Sequence, residues 1–171
     1  MKSTVILAVL CLLLMAPLAH ARSNSPAAIK KEVTRQGAKA TVAHLWEDRK
    51  GWTSLIHHVE KGEKEWVDVA VLLLPGADAG ATAEIKAALP RALAANPEHM
   101  LRLVRQQKLE LDEVCDDPST VDDSSGDVQN FLDVTIRQLQ KRTFGDKETE
   151  RLRKDCLARF RYFLKEELQR R

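Results

Sequence analysis

The chain has 171 residues, with 27 Lys+Arg against 25 Asp+Glu and only three cysteines. That length suits one domain with a real core. So even a charge balance gives no overall field for holding nucleic acid or an anionic membrane, and three cysteines without a C-x-x-C pair offer no zinc ribbon or dithiol redox motif.

The first residues, MKSTVILAVLCLLLMAPLAHARS, read as a secretory signal. Lys2 is the positive start, residues 5–15 form an unbroken apolar run, Pro17 breaks it, and Ala19-His20-Ala21 is the small–x–small cleavage pattern. The run is about half of the ~20 residues that a spanning helix needs. Cys11 lies inside it with apolar residues following, which does not fit a lipoprotein. The expected division is a cleaved signal peptide at 1–21 and a single helical domain at 22–171, periplasmic or secreted. Loss of Lys2 leaves 26 basic against 25 acidic residues. The longest later apolar run, VAVLLL at 69–74, is too short to span, so no transmembrane segment is expected in the mature chain.

Helical signals then follow one another. Ser25-Pro26 is an N-cap followed by proline at the first helical position, and the segment runs to Gly37. AKATVAHLWED places Val42, Leu45 and Trp46 on one face, with Gly51 expected to separate it from the next segment. WTSLIHHVEKG and WVDVAVLLLPG repeat one pattern at an offset of 14 residues. Trp52, Leu55, Ile56 and Val59 in the first correspond to Trp66, Val69, Ala70 and Leu73 in the second. This is the i, i+3, i+4, i+7 spacing of amphipathic helices, with Gly62 and Gly76 where a helix end favours positive φ. Helices of about ten residues are not stable alone, so these must pack on each other and on neighbours.

A fifth helix is expected from a cap at Thr82, kinked or split at Pro90. Asn96-Pro97 opens a sixth, carrying Met100, Leu101, Leu103 and Val104. Residues 110–127, ELDEVCDDPSTVDDSSGD, contain no Lys or Arg and read as an acidic loop. A seventh helix presents Phe131, Leu132, Thr135, Ile136 and Leu139. The last, capped by Asp146, carries a stripe of Leu152, Cys156, Phe160, Phe163, Leu164 and Leu168. The fold class is all-α: an antiparallel array of about eight helices, six short N-terminal ones and two longer C-terminal ones, tied by one disulfide. Cys115 and Cys156 are its partners. A loop of about 40 residues closed this way is worth about 3–4 kcal/mol on the chain-entropy model.

Candidate chemistry is sparse. His57 and His58 diverge by about 100° on a helix and cannot share a metal from regular positions. Neither has an i, i+4 ligand partner. His44 and His99 are remote in sequence, and all four read as surface or boundary residues. Asp116, Asp117, Asp122, Asp123 and Asp127 could offer oxygens to calcium, but an EF-hand register started at Asp123 puts Val128 at the glycine position and Val134 at the glutamate position. A solvated loop, or an acidic contact surface for a basic partner, is the better reading. Basic residues on the last two helices are interspersed with acids, and Glu150–Lys154 and Asp155–Arg159 have i, i+4 spacing. There is no G-x-S-x-G elbow, H-E-x-x-H or P-loop. Trp46, Trp52 and Trp66 have the helical phase of core residues, with a sugar platform as the alternative. No cofactor and no metal are expected.

GAKATVAHLW, the tryptophan-helix pair and ALPRALAANPEHMLRLV together resemble a set of small exported bacterial helical proteins that bring no activity with them. Size, signal peptide, helicity and one cysteine pair are more loosely similar to periplasmic immunity proteins that neutralise type VI secretion toxins. That similarity implies a protein partner and carries over no binding residue. The functional expectation is an exported protein-interaction module, an inhibitor or immunity protein, meeting another protein of the cell envelope through Asp116, Asp117, Asp122 and Asp123, without nucleic acid. The alternative is a cell-envelope enzyme or glycan-binding protein acting on peptidoglycan, and a calcium-dependent module stands third.

Overall fold

A computed structural model describes residues 24–116 and 125–169, with the side chains of 125–127 left aside. The signal peptide expected at 1–21 and the acidic positions Asp117, Asp122 and Asp123 lie outside the described residues. Every regular element within them is helical: α1 Pro26–Gln36, α2 Ala38–Glu47, α3 Arg49–Glu60, α4 Lys64–Leu73, a 3-10 turn Leu74–Gly76, α5 Ala79–Ala95, α6 Pro97–Arg105, α7 Leu111–Val114, α8 Ser125–Gln140 and α9 Lys147–Gln169. None of these helices is long and apolar enough to cross a membrane. The all-helical array is thus present, with α5 longer than expected and with α7 inside the acidic stretch.

Local chemistry sets the boundaries. Ser25 Oγ accepts from the Ala28 amide, Asp48 from Gly51, Asp78 from Ala81, Asn96 from His99 and Asp146 from Thr149, so each of these side chains satisfies a first-turn donor. Asp48, not Gly51, therefore separates α2 from α3, and Gly51 is buried within the first turn of α3. Asp78 likewise starts α5 ahead of Thr82. Glu110 and Glu113 form a capping box that folds α7 out of the expected loop. Helix α8 also begins at Ser125, before the expected start at Val128.

Gly62 closes α3 at φ +66°. Its amide bonds Val59 O at 2.8 Å and the Glu63 amide bonds His58 O at 3.3 Å, a Schellman ending. Gly76 differs from expectation. It has no positive φ; it is small because the Ala38–Lys39 backbone passes against it, so that a Cβ there would overlap main-chain atoms.

Helix α5 is the hub, packed on α3, α6, α7 and α8. It buries Ala81, Ile85, Ala88, Leu89, Pro90, Ala92 and Leu93. Pro90 does not split it: the helix runs unbroken through Ala95. The lost backbone bond is offset by burial of the ring and its apolar neighbours, each large one contributing about 1.5–3 kcal/mol. The alanines let four helices approach closely. Trp52, Leu55 and Val59 of α3 and Val69, Ala70 and Leu73 of α4 are fully buried, so most of the repeated faces meets a common core; Ile56 and Trp66 are only partly buried, and Val67, outside the expected face, is fully buried. Helices α8 and α9 form a hairpin against α5 and α6. In α9, Leu152, Cys156 and Phe160 are buried, whereas Leu168 at the end of the expected stripe is 54% exposed. The α9 ion pairs are Arg151 with Glu148 and Asp155, and Arg153 with Glu150, in place of the i, i+4 pairs read from sequence.

Candidate functional site

Cys115 and Cys156 are disulfide-bonded with Cα atoms 5.2 Å apart, both fully buried. The bridge ties the end of α7 to the middle of α9. Asp116, beside it, is exposed. His57 points outward, as expected, near Glu60. His58 stacks flat on Trp66, with ring centroids 4.7 Å apart, and lies 2.8 Å from Glu63. His44 lies 3.2 Å from Glu32. Among the described residues no His, Cys, Asp or Glu side chains gather in a group of three or more that could hold a metal ion.

The tryptophans are mostly structural. Trp52 is fully buried and its Nε1 donates to Glu84 at 2.6 Å. Trp46 meets it edge-on, and the Arg49 guanidinium lies 4.3 Å over the Trp46 ring. Trp66 is half-buried under His58. One face of Trp46 and one face of Trp66 are therefore taken by neighbours, which leaves less ring for stacking on a sugar.

A cleft that the sequence did not announce lies where α1, α4 and α6 meet. One lobe, about 400 Å³, has Val71, Leu72, Pro75 and Leu103 as its apolar lining. A second, about 180 Å³, is polar and includes Lys64, His99, Arg102 and Gln106. Asp68, Leu103 and Lys108 border both lobes, and Lys30 lines the larger one. Leu72 is 40% exposed at the mouth.

His99 anchors the polar lobe. It is buried, against the expectation of a surface or boundary residue. Its Nε2 is 2.9 Å from Asp68 Oδ1, though not aligned for a straight hydrogen bond. Arg102 Nη2 stands 2.6 Å from Nδ1. A guanidinium only donates, so Nδ1 is the acceptor and the ring proton sits on Nε2, facing Asp68. Burial lowers the His99 pKa; the Asp68 charge opposes this, and Arg102 and Lys64 add to it. For Asp68 burial pushes upward but is outweighed by the hydrogen bond from Lys64 and the nearby His99 and Lys30, so its pKa is lowered. The result is a neutral imidazole between a carboxylate and a guanidinium.

The cations of the cleft are not equivalent. Lys64 bonds Asp68 at 3.1 Å, and Lys30 lies 3.8 Å from Glu65. Arg102 and Lys108 have no carboxylate partner among the described residues. Lys108 follows Gln107, a non-glycine residue at φ 55°. The Gln107 amide bonds Val104 O at 2.9 Å and the Lys108 amide bonds Leu103 O at 3.0 Å, a Schellman ending of α6 that turns the chain back over the cleft. No Ser, Thr or Cys lines either lobe, so His99 has no hydroxyl or thiol there to activate. The cleft holds positive charge at the edge of an apolar hollow.

Sequence reasoning missed this site because Asp68 and His99 lie on different helices. The one local signal was the i, i+3 spacing of His99 and Arg102. No family model, curated protein or solved structure matches the chain.

Proposed function

We propose that this chain is an exported protein-interaction module, of the inhibitor or immunity kind, that meets another protein of the cell envelope. The observation that carries the reading is the cleft between α1, α4 and α6, where exposed Leu72 lines one lobe with Lys108, and Lys108 lines the adjoining lobe with Arg102, two cations without carboxylate partners among the described residues. Apolar surface beside uncompensated charge is the composition of a recognition site. The buried Cys115–Cys156 bridge supports an oxidising compartment, periplasmic or secreted after removal of 1–21. The acidic stretch, at Asp116, Asp117, Asp122 and Asp123, is a second contact surface within the same reading.

The test is affinity capture from envelope extracts of the source organism, using the oxidised chain, a Lys108→Gln variant, and a variant with those four aspartates changed to lysine. The expected result is one stoichiometric protein retained by the parent chain and lost or weakened in the variants. Equal retention by all three chains overturns the reading. Retention of glycan without protein overturns it in favour of a peptidoglycan-binding role.

A further inference from the structure

We infer that the α1/α4/α6 cleft is a binding site for a carboxylate carried on a short apolar group. This rests on the interaction reading in one respect: the natural source would be an apolar residue at the end of a partner chain.

The polar lobe supplies the anion's partners. Arg102 uses Nη2 on His99, and its Nε and Nη1 donors have no acceptor among the described residues. A guanidinium tied at one nitrogen by a buried ring has lost much of its rotamer freedom already, so it binds with less entropy to surrender. Lys108 is brought to the same lobe by the turn at Gln107, whose left-handed backbone is uncommon for a side chain of that size. Asp68 is offset by Lys64, which bonds its Oδ2 at 3.1 Å, while its Oδ1 faces the His99 ring. Of the four cations lining the two lobes, Lys64 pairs with Asp68 and Lys30 lies 3.8 Å from Glu65, which leaves Arg102 and Lys108 to meet an anion.

The apolar lobe supplies the rest. Its lining by Val71, Leu72, Pro75 and Leu103 is continuous with the polar lobe through Leu103. About 400 Å³ is at the small end of ligand pockets and fits one or two aliphatic side chains or a short alkyl chain. A bare inorganic anion would leave this lobe empty, and a neutral hydrocarbon would leave Arg102 and Lys108 unanswered.

The experiment is a ¹H–¹⁵N NMR titration of the oxidised chain with octanoate, octan-1-ol, and N-acetyl-leucyl-leucine as free acid and as amide. Octanoate or the peptide acid is expected to shift amides at 71–75 and 102–108. The neutral counterparts should bind at least about tenfold more weakly. Lys108→Gln and Arg102→Gln should each weaken the acids by a similar factor. Lys108 is exposed, so its variant remains informative even if Arg102→Gln disturbs the fold. Tighter binding of the peptide acid points to a chain terminus and tighter binding of octanoate to a free amphiphile; both support the site. Equal binding of acids and neutral probes, shifts confined to other helices, or no shift up to 10 mM probe (on the order of a Kd too weak to be a built site) overturns it. A captured protein partner without acid binding removes the carboxylate site alone. Acid binding without a protein partner removes the interaction reading alone.

Discussion

Arg102 donates to Nδ1 of His99 at 2.6 Å, and this single contact fixes both the tautomer of the ring and the position of the guanidinium at the cleft. Protonating His99 would put a hydrogen on the nitrogen that Arg102 already uses. The bond and the imidazolium are mutually exclusive.

A pH dependence follows. The folded pKa of His99 is lowered from the ordinary 6.5, so below that value the unfolded chain binds the proton more readily than the folded one. The contribution of His99 to stability is present above pH 6.5 and is lost as pH falls through the folded value. Urea unfolding should therefore show lower stability at pH 5 than at pH 7.5, with a shallower slope in His99→Gln. An NMR titration should place the midpoint of the His99 ring below 6.5. An ordinary or raised pKa there would contradict the Arg102–His99 geometry.

Gly62 and Gly37 separate backbone strain from lack of space. Both have positive φ, +66° and +86°. A Cβ at Gly62 would come within 2.8 Å of Asn96 Cβ and 3.0 Å of Ala92 O, whereas at Gly37 nothing lies within 4 Å. Gly37, at φ +86° and ψ 162°, occupies backbone space that glycine alone enters readily, so Gly37→Ala should cost about 1–3 kcal/mol through strain alone. Gly62→Ala should cost about 2–4 kcal/mol, because overpacking against α5 adds to the strain. Chemical denaturation checks both magnitudes, and a Gly62→Ala cost no larger than about 1 kcal/mol, the left-handed strain alone, would mean that α5 yields freely.

Gln107→Gly relieves a left-handed non-glycine residue on an exposed turn. The expected gain is about 0.5–1 kcal/mol, the relief of strain reduced by glycine's greater freedom when unfolded. Glycine fits the same left-handed turn and keeps both of its backbone bonds, so Lys108 holds its place and the variant should bind carboxylate probes as the parent does. A rise in melting temperature with unchanged probe affinity is the signature to look for.

Glu150 has its pKa lowered to about 2, first by the hydrogen bonds from Arg153, with desolvation opposing and the Phe144 amide assisting. Arg153 also donates to Leu139 O at 3.1 Å, so the pair braces the α8–α9 hairpin. A depressed carboxylate contributes stability above its unfolded value near 4.5, and that stability is lost as pH falls towards 2. Glu150→Gln should flatten the stability profile between those values, as followed by far-UV circular dichroism in acid titrations.

Much of the array was legible because helix starts are written locally. Ser25-Pro26, Asn96-Pro97 and Asp146 act within their own first turns, and the tryptophan-led faces at 52–59 and 66–73 follow from a 3.6-residue period. What failed was decided by other helices. Pro90 stays helical because the surroundings of α5 bury it, and Gly76 answers to the backbone of α2 instead of to its own φ. His99 belongs to a site only because α4 brings Asp68 to it, 31 residues earlier in sequence. Histidine pairs such as His57-His58 attract notice by adjacency, yet the histidine with the most defined surroundings was the solitary one.

The most direct test of the central claim, that the α1/α4/α6 cleft is the recognition surface, is site-specific photo-crosslinking. p-Benzoylphenylalanine is placed at 72, at the cleft mouth, and separately at 162, on α9 outside the cleft, where Tyr162 is 59% exposed. The oxidised chains are irradiated in envelope extracts of the source organism. One discrete protein adduct from position 72, absent from 162 and lost on adding Lys108→Gln, is the predicted result. No adduct from 72, or the same adducts from both positions, would contradict it.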